Sequence, residues 1–147
     1  MGPGPILVAL DGSPRAPAVL RVAIHLAQKL GARLWLFRAV GLPVEFPVET
    51  YAVTPDRLGP LLLERARREL EAVASDLPPP LLAGISSELG VAWDAVCMVA
   101  RKVDASLIVI GAHGYGRVDR LLGTTASKIV NHADRAVLVV RSPERVP

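Results

Sequence analysis

The stretch ASLIVIGAHGYGRVDRLLGTTASKIV, residues 105–130, decides the fold. Its first six residues, ASLIVI, form a short apolar run that reads as a buried strand. Gly111, Gly114 and Gly116 follow, then a charged patch, then Gly123-Thr124-Thr125 before helical spacing resumes. Connections between a strand and a helix usually take about two to six residues. This one runs from 111 to 123, about twice as long. A donor-rich glycine loop in that place either binds something or is poorly ordered.

The rest of the chain repeats the strand-then-helix theme. PILVALD (5–11) is an apolar run ending at Asp11-Gly12-Ser13, and reads as the first strand. Val19, Val22, Ala23, Leu26, Ala27 and Leu30 then share one helical face, opposite Arg21, His25, Gln28 and Lys29. Ser13 is the expected N-cap, Pro14 the first helical residue and Gly31 the stop. RLWLFRAV (33–40) is the second strand, and the proline-rich GLPVEFPVETYAVTP reads as a surface excursion. A second helix is expected from about Asp56, buried along Leu62, Ala66, Leu70 and Val73. Glu64, Arg65, Arg67, Arg68 and Glu71 give it a salt-paired outer face, and Pro78-Pro79-Pro80 ends it. Leu81 to Ser87 is a weaker strand, VAWDAVCMVARKV a short helix, ASLIVIGA (105–112) the fourth strand, TASKIVNHA a helix and RAVLVVR the last strand. The order βαβαβαβαβ implies a parallel sheet covered on both faces, with right-handed crossovers.

Composition agrees with one α/β domain over residues 1–147: 51% of the residues are hydrophobic and 21% charged, so a core is affordable without staples. The net charge of +3 is spread along the chain without interleaved aromatics, which argues against nucleic acid but weakly favours a small anion. Cys97 is the single cysteine, so no intrachain disulfide forms, and AVCMVA makes it a core thiol. No 18-residue apolar run suggests a membrane span, and MGPGPILVALDG lacks the basic start of a signal peptide. A cytoplasmic protein is expected. The three histidines and one cysteine have no zinc spacing.

The loop has the physical means to hold a phosphate. Its glycines let backbone N–H groups close around an anion, and a helix starting near Thr124 adds unpaired N–H groups and the positive end of its dipole. Familiar motifs do not match. GxxxxGK[ST] is absent. Gly114-Tyr115-Gly116 starts a GxGxxG, but Asp119 replaces the third glycine, and the acidic ribose partner would fall on Asp134, just before the last strand.

GAHG, GTTASKIVNHADRAVLVV and VALDGS together resemble the universal stress protein family over essentially the whole chain. The ATP-binding members of that family carry G-x2-G-x9-G-[ST]. Gly111, Gly114, Gly123 and Thr124 match it with eight rather than nine residues in the second gap. The resemblance implies a three-layer α/β/α fold of the adenine nucleotide alpha hydrolase-like type, with five parallel strands in the order 3-2-1-4-5 and four helices. It implies ATP, with Mg²⁺, in the crevice between the first and fourth strands. Adenine would meet Ala9, Leu10, Asp11 and the main chain of Ala39 and Val40. Gly111, His113, Gly114, Gly123, Thr124 and Thr125 would hold the phosphates. Arg117 and Arg120 are added on charge and position alone. The resemblance also implies a homodimer through the last strand, Ala136 to Val140, which has no blocking Pro or Lys.

Each residue has a plainer alternative. Asp11 could simply cap the turn into the first helix, and Thr124 or Thr125 is expected to cap the last helix. His113 has no nucleophile and base paired with it, so no catalytic residue is assigned. Three functions compete: a regulatory protein that binds an adenine nucleotide, a ligand-free homodimeric interaction module, and a slow ATP hydrolase. The last wants a base and an orienting partner that the sequence does not offer. An adenylating enzyme would want a richer glycine loop than DGSPRA after the first strand.

Overall fold

The computed structural model describes residues 3–41, 55–112 and 121–141. Five strands alternate with four helices: β1 (Ile6–Ala9), α1 (Ala16–Leu30), β2 (Leu34–Val40), α2 (Pro55–Ser75), β3 (Leu82–Leu89), α3 (Ala92–Lys102), β4 (Leu107–Gly111), α4 (Thr124–His132) and β5 (Val137–Val140). The sheet is parallel throughout, in the order β3-β2-β1-β4-β5. β1 is central. Ile6 pairs with Leu34 on one side and with Leu107 on the other, so the carboxyl ends of β1, β2 and β4 emerge side by side.

Strand alternation divides the core into two layers. Ile6, Val8, Leu10, Leu34, Leu36 and Val109 pack under α1 and α2, against Val19, Ala23, Ala27 and Leu70. Leu7, Phe37, Ile108 and Ile110 pack under α3 and α4, against Val96, Val99, Ala126 and Ile129. Small residues on α1 and α3 let the helices sit close to the sheet, which suits a chain that is 4% aromatic. Pairs Arg67–Glu71, Arg68–Glu64 and Arg65–Glu69 lace the outer face of α2, as its charge pattern predicts.

Three local expectations are corrected. α1 begins at Ala16, later than Ser13-Pro14 suggests, with Arg15 at the N-cap and Pro17 inside the first turn. Ser13 closes the preceding turn: its N–H donates to Asp11 Oδ1 at 2.9 Å, and its Oγ accepts from Arg15 N–H at 3.3 Å. Leu30, expected on the buried face, is 62% exposed in the last turn of α1, which Gly31 ends with φ 65°. Neither Thr124 nor Thr125 caps α4. Gly123 stands at the cap with extended backbone and no side-chain cap bond.

One clip joins α3 to the α4–β5 connection. Arg135 Nη1 donates to Ala100 O at 2.8 Å and to Ala105 O at 2.9 Å, and its Nε donates to Asp134 Oδ1. Hydrogen bonding to Arg135 lowers the Asp134 pKa. Cys97 is buried on α3, and that burial raises its thiol pKa, with Arg101 acting in the opposite sense.

Candidate functional site

A cavity of about 260 Å³ opens where the strand order reverses, between the carboxyl ends of β1 and β4. Open α/β sheets bind ligands at such switch points because adjacent connections leave the sheet in opposite directions. The β1–α1 turn supplies Asp11, Ser13 and Arg15; β2 supplies Ala39; α3 supplies Ala92 and Val96. β4 and its exit supply Gly111 and Ala112, and the start of α4 supplies Gly123, Thr124, Thr125 and Ala126.

Most of the site expected from the sequence therefore converges. Ala9, Leu10, Asp11, Ala39, Gly111, Gly123, Thr124 and Thr125 all line this one cavity. Val40 is not part of its lining, and the Val40 carbonyl accepts the Gly90 N–H at 3.0 Å. The side-chain alternation of β2 sends Ala39 toward α3 and away from its neighbour. His113, Gly114, Arg117 and Arg120 lie outside the described residues.

The two ends of the cavity differ in chemistry. Ala9, Ala39, Ala92 and Val96 make an apolar wall near β2. Near β4 the wall is backbone. Gly123 N–H is engaged by Ala112 O at 2.8 Å, and the first hydrogen bond inside α4 runs from Ser127 N–H to Gly123 O at 2.9 Å. The N–H groups of Thr124, Thr125 and Ala126 thus have no acceptor among the described residues. Ala126 is 4% exposed, so water satisfies its donor poorly. No acidic residue occupies the first turn of α4, and no side chain caps it. Its dipole is left open toward the cavity.

The β1–α1 turn is held open by glycine. Gly12 has φ 74°, and a Cβ there would overlap the Arg38 guanidinium, which ion-pairs with Glu69 of α2. Asp11 keeps one carboxylate oxygen on the Ser13 N–H, so it does cap the turn, and it also lines the cavity. Sequence reasoning missed Ser13, Arg15, Ala92 and Val96 as lining. Small apolar residues of α3 carry no chemical signature, and they reach the cavity only through packing.

The parallel order β3-β2-β1-β4-β5, helices on both faces and a crevice at the reversal define a doubly wound α/β protein. Residues 3–141 match the Universal stress protein family, and the chain belongs to it. It is similar to a universal stress protein of Synechocystis sp., 29% identical over 158 aligned positions that cover 96% of this chain and 99% of that protein. It superposes on the solved universal stress protein UspA from Lactobacillus plantarum with a TM-score of 0.72 at 26% identity, covering 96% and 99% of the two chains. It shares its fold with a universal stress protein solved in complex with cAMP, at TM-score 0.53 and 22% identity, covering 94% and 98%.

Proposed function

We propose that this protein binds an adenine nucleotide, ATP first, in the β1–β4 crevice, and acts in a stress response through conformation and partners rather than turnover. One observation carries the reading: three N–H groups of α4 that have no acceptor among the described residues lie in the lining of a cavity at the switch point, with no acid in the helix's first turn. Such a set fits a phosphate. The apolar wall of Ala9, Ala39, Ala92 and Val96 fits a base. A relative of the same fold was solved with cAMP, which is itself an adenine nucleotide.

In this reading Gly111, Gly123, Thr124 and Thr125, with His113, Gly114 and Arg117 of the intervening loop, hold the phosphates. Asp11 meets the ribose or base, since a carboxylate repels phosphate. No three His, Cys, Asp or Glu side chains gather as a metal site among the described residues. In this reading Mg²⁺ is held chiefly by the nucleotide's phosphates. Asp11 is the one carboxylate of the described lining, and a turn hydrogen bond already engages it, so we assign no general base. Binding acts by favouring one conformation over another, to the extent that affinity differs between them. The buried, unpaired Cys97 suits a reducing compartment such as the cytoplasm. No described helix is long and apolar enough to cross a membrane. β5 is a sheet edge, and a second copy of the chain is its proposed partner.

The test is thermal stability with ATP. Ligand at about a hundred times Kd adds about 2.7 kcal/mol to the folded state, so Tm should rise by several degrees without release of inorganic phosphate. No shift at millimolar ATP would leave the interaction module as the correct reading.

A further inference from the structure

The nucleotide reading explains the α4 wall of the cavity but leaves the opposite wall without a role. That wall is the turn into α1, and it differs from α4 in one respect. The backbone donors at the start of α1 are already used. Ala16 N–H donates to Ser13 O, Ala18 and Val19 N–H donate to Arg15 O, and Pro17 has no N–H. The α1 terminus therefore offers an anion nothing from its backbone, and whatever it offers must come from side chains.

Two side chains meet that need. Ser13 is 4% exposed, and it is the buried polar side chain of the described core. Its oxygen accepts the Arg15 N–H, but its hydroxyl proton finds no acceptor among the described residues, and it lines the cavity. A buried donor without an acceptor is costly, so an acceptor supplied by a ligand is favoured. Arg15 is the one cation of the described lining. α1 packs over β1 and β4 and touches β2 and β5 on either side, and Ser13 and Arg15 line the same cavity as Thr124, Thr125 and Ala126 at the start of α4. The apolar wall is at the β2 side.

We propose that Ser13 and Arg15 form the second jaw of a phosphate clamp, facing the α4 backbone donors, and that Arg15 makes the site prefer the more highly phosphorylated ligand. This rests on the nucleotide reading above. A guanidinium gains with each added phosphate charge, whereas the α4 N–H groups hold a fixed number of oxygens. The Ser13 hydroxyl supplies a hydrogen bond that does not depend on the number of phosphates.

The experiment titrates wild-type protein, Arg15→Gln and Ser13→Ala with ATP, ADP and adenosine. Arg15→Gln keeps a polar side chain at a half-buried position, and its unchanged melting curve would establish that it folds. The expected result is ATP affinity lowered about tenfold, ADP less, and adenosine within about twofold, as loss of a charge-assisted bond implies. Ser13→Ala should weaken ATP and ADP by similar factors. Arg15→Gln that binds ATP like wild type, or that loses adenosine as strongly as ATP, overturns the clamp while the nucleotide site stands. Wild-type protein that binds none of the three ligands overturns the nucleotide reading itself.

Discussion

Thr125→Asp separates the structural and the functional account of the α4 terminus. Thr125 is exposed, lies in the first turn of α4 and lines the cavity. That turn contains no acid and no side-chain cap among the described residues, so a carboxylate there meets the positive end of the helix dipole. The helix should gain about 0.3–1 kcal/mol, which at this chain length raises Tm by about 1–3 °C. The same charge has the opposite effect on a phosphate held by the neighbouring N–H groups. At about 5 Å and an effective dielectric of about 20, two like charges repel by about 3 kcal/mol. Salt and water at the cavity mouth reduce this to about 1.5 kcal/mol, still about a tenfold loss of affinity. The assays are a melting curve without ligand and a binding titration with ATP. A variant that melts higher and binds ATP as tightly as wild type would refute the reasoning, because the first N–H groups of α4 would then not face the phosphates.

Three further outcomes follow from the packing. Arg135→Ala removes two bonds from a charged donor to the carbonyls of Ala100 and Ala105, while Ala100 O keeps the Ala105 N–H; the net loss should be about 2 kcal/mol, or about 4–8 °C in Tm, read by denaturant and thermal unfolding. Gly84→Ala places a Cβ 2.6 Å from the Trp35 ring, so the indole must shift and its hydrogen bond to Ser86 must weaken; a loss of about 1–3 kcal/mol and an altered tryptophan emission are expected. Cys97 should resist iodoacetamide at pH 8 until the protein unfolds, because burial raises its pKa and keeps the thiol neutral. The sign for stability follows: above about pH 8.5 the unfolded thiol ionises first, so this residue's contribution falls as pH rises.

The architecture was legible because buried parallel strands announce themselves. ILVA and LIVIG are continuous apolar runs, each followed by a glycine turn and helical spacing. Strand order is not written in such runs. It came from the resemblance carried by GAHG and GTTAS, and the sheet bears it out. Helix starts were read less well. Ser13-Pro14 looks like a cap followed by a first helical residue, but Asp11 draws Ser13 into a turn, and the helix waits until Ala16. A cap was also expected of Thr124 or Thr125, yet Gly123 takes that place, which frees both threonines to line the cavity.

The site was legible where chemistry marks it and not where shape does. Asp11, Gly111 and Gly123 stand out as residue types at element ends, and they do meet. Ala92 and Val96 form part of the same cavity only because α3 lies against the ends of β1 and β2, a relation no spacing encodes. Arg15 carries no sequence signal that sets it apart on a mildly basic chain. Only the satisfied backbone of α1 beside it shows why a side chain matters there.

The most direct test is calorimetric titration of nucleotide-free protein with ATP and Mg²⁺, with GTP as the control. The account predicts saturable ATP binding at micromolar concentration and much weaker GTP binding. No heat of binding up to millimolar ATP would contradict it and leave the ligand-free interaction module as the reading.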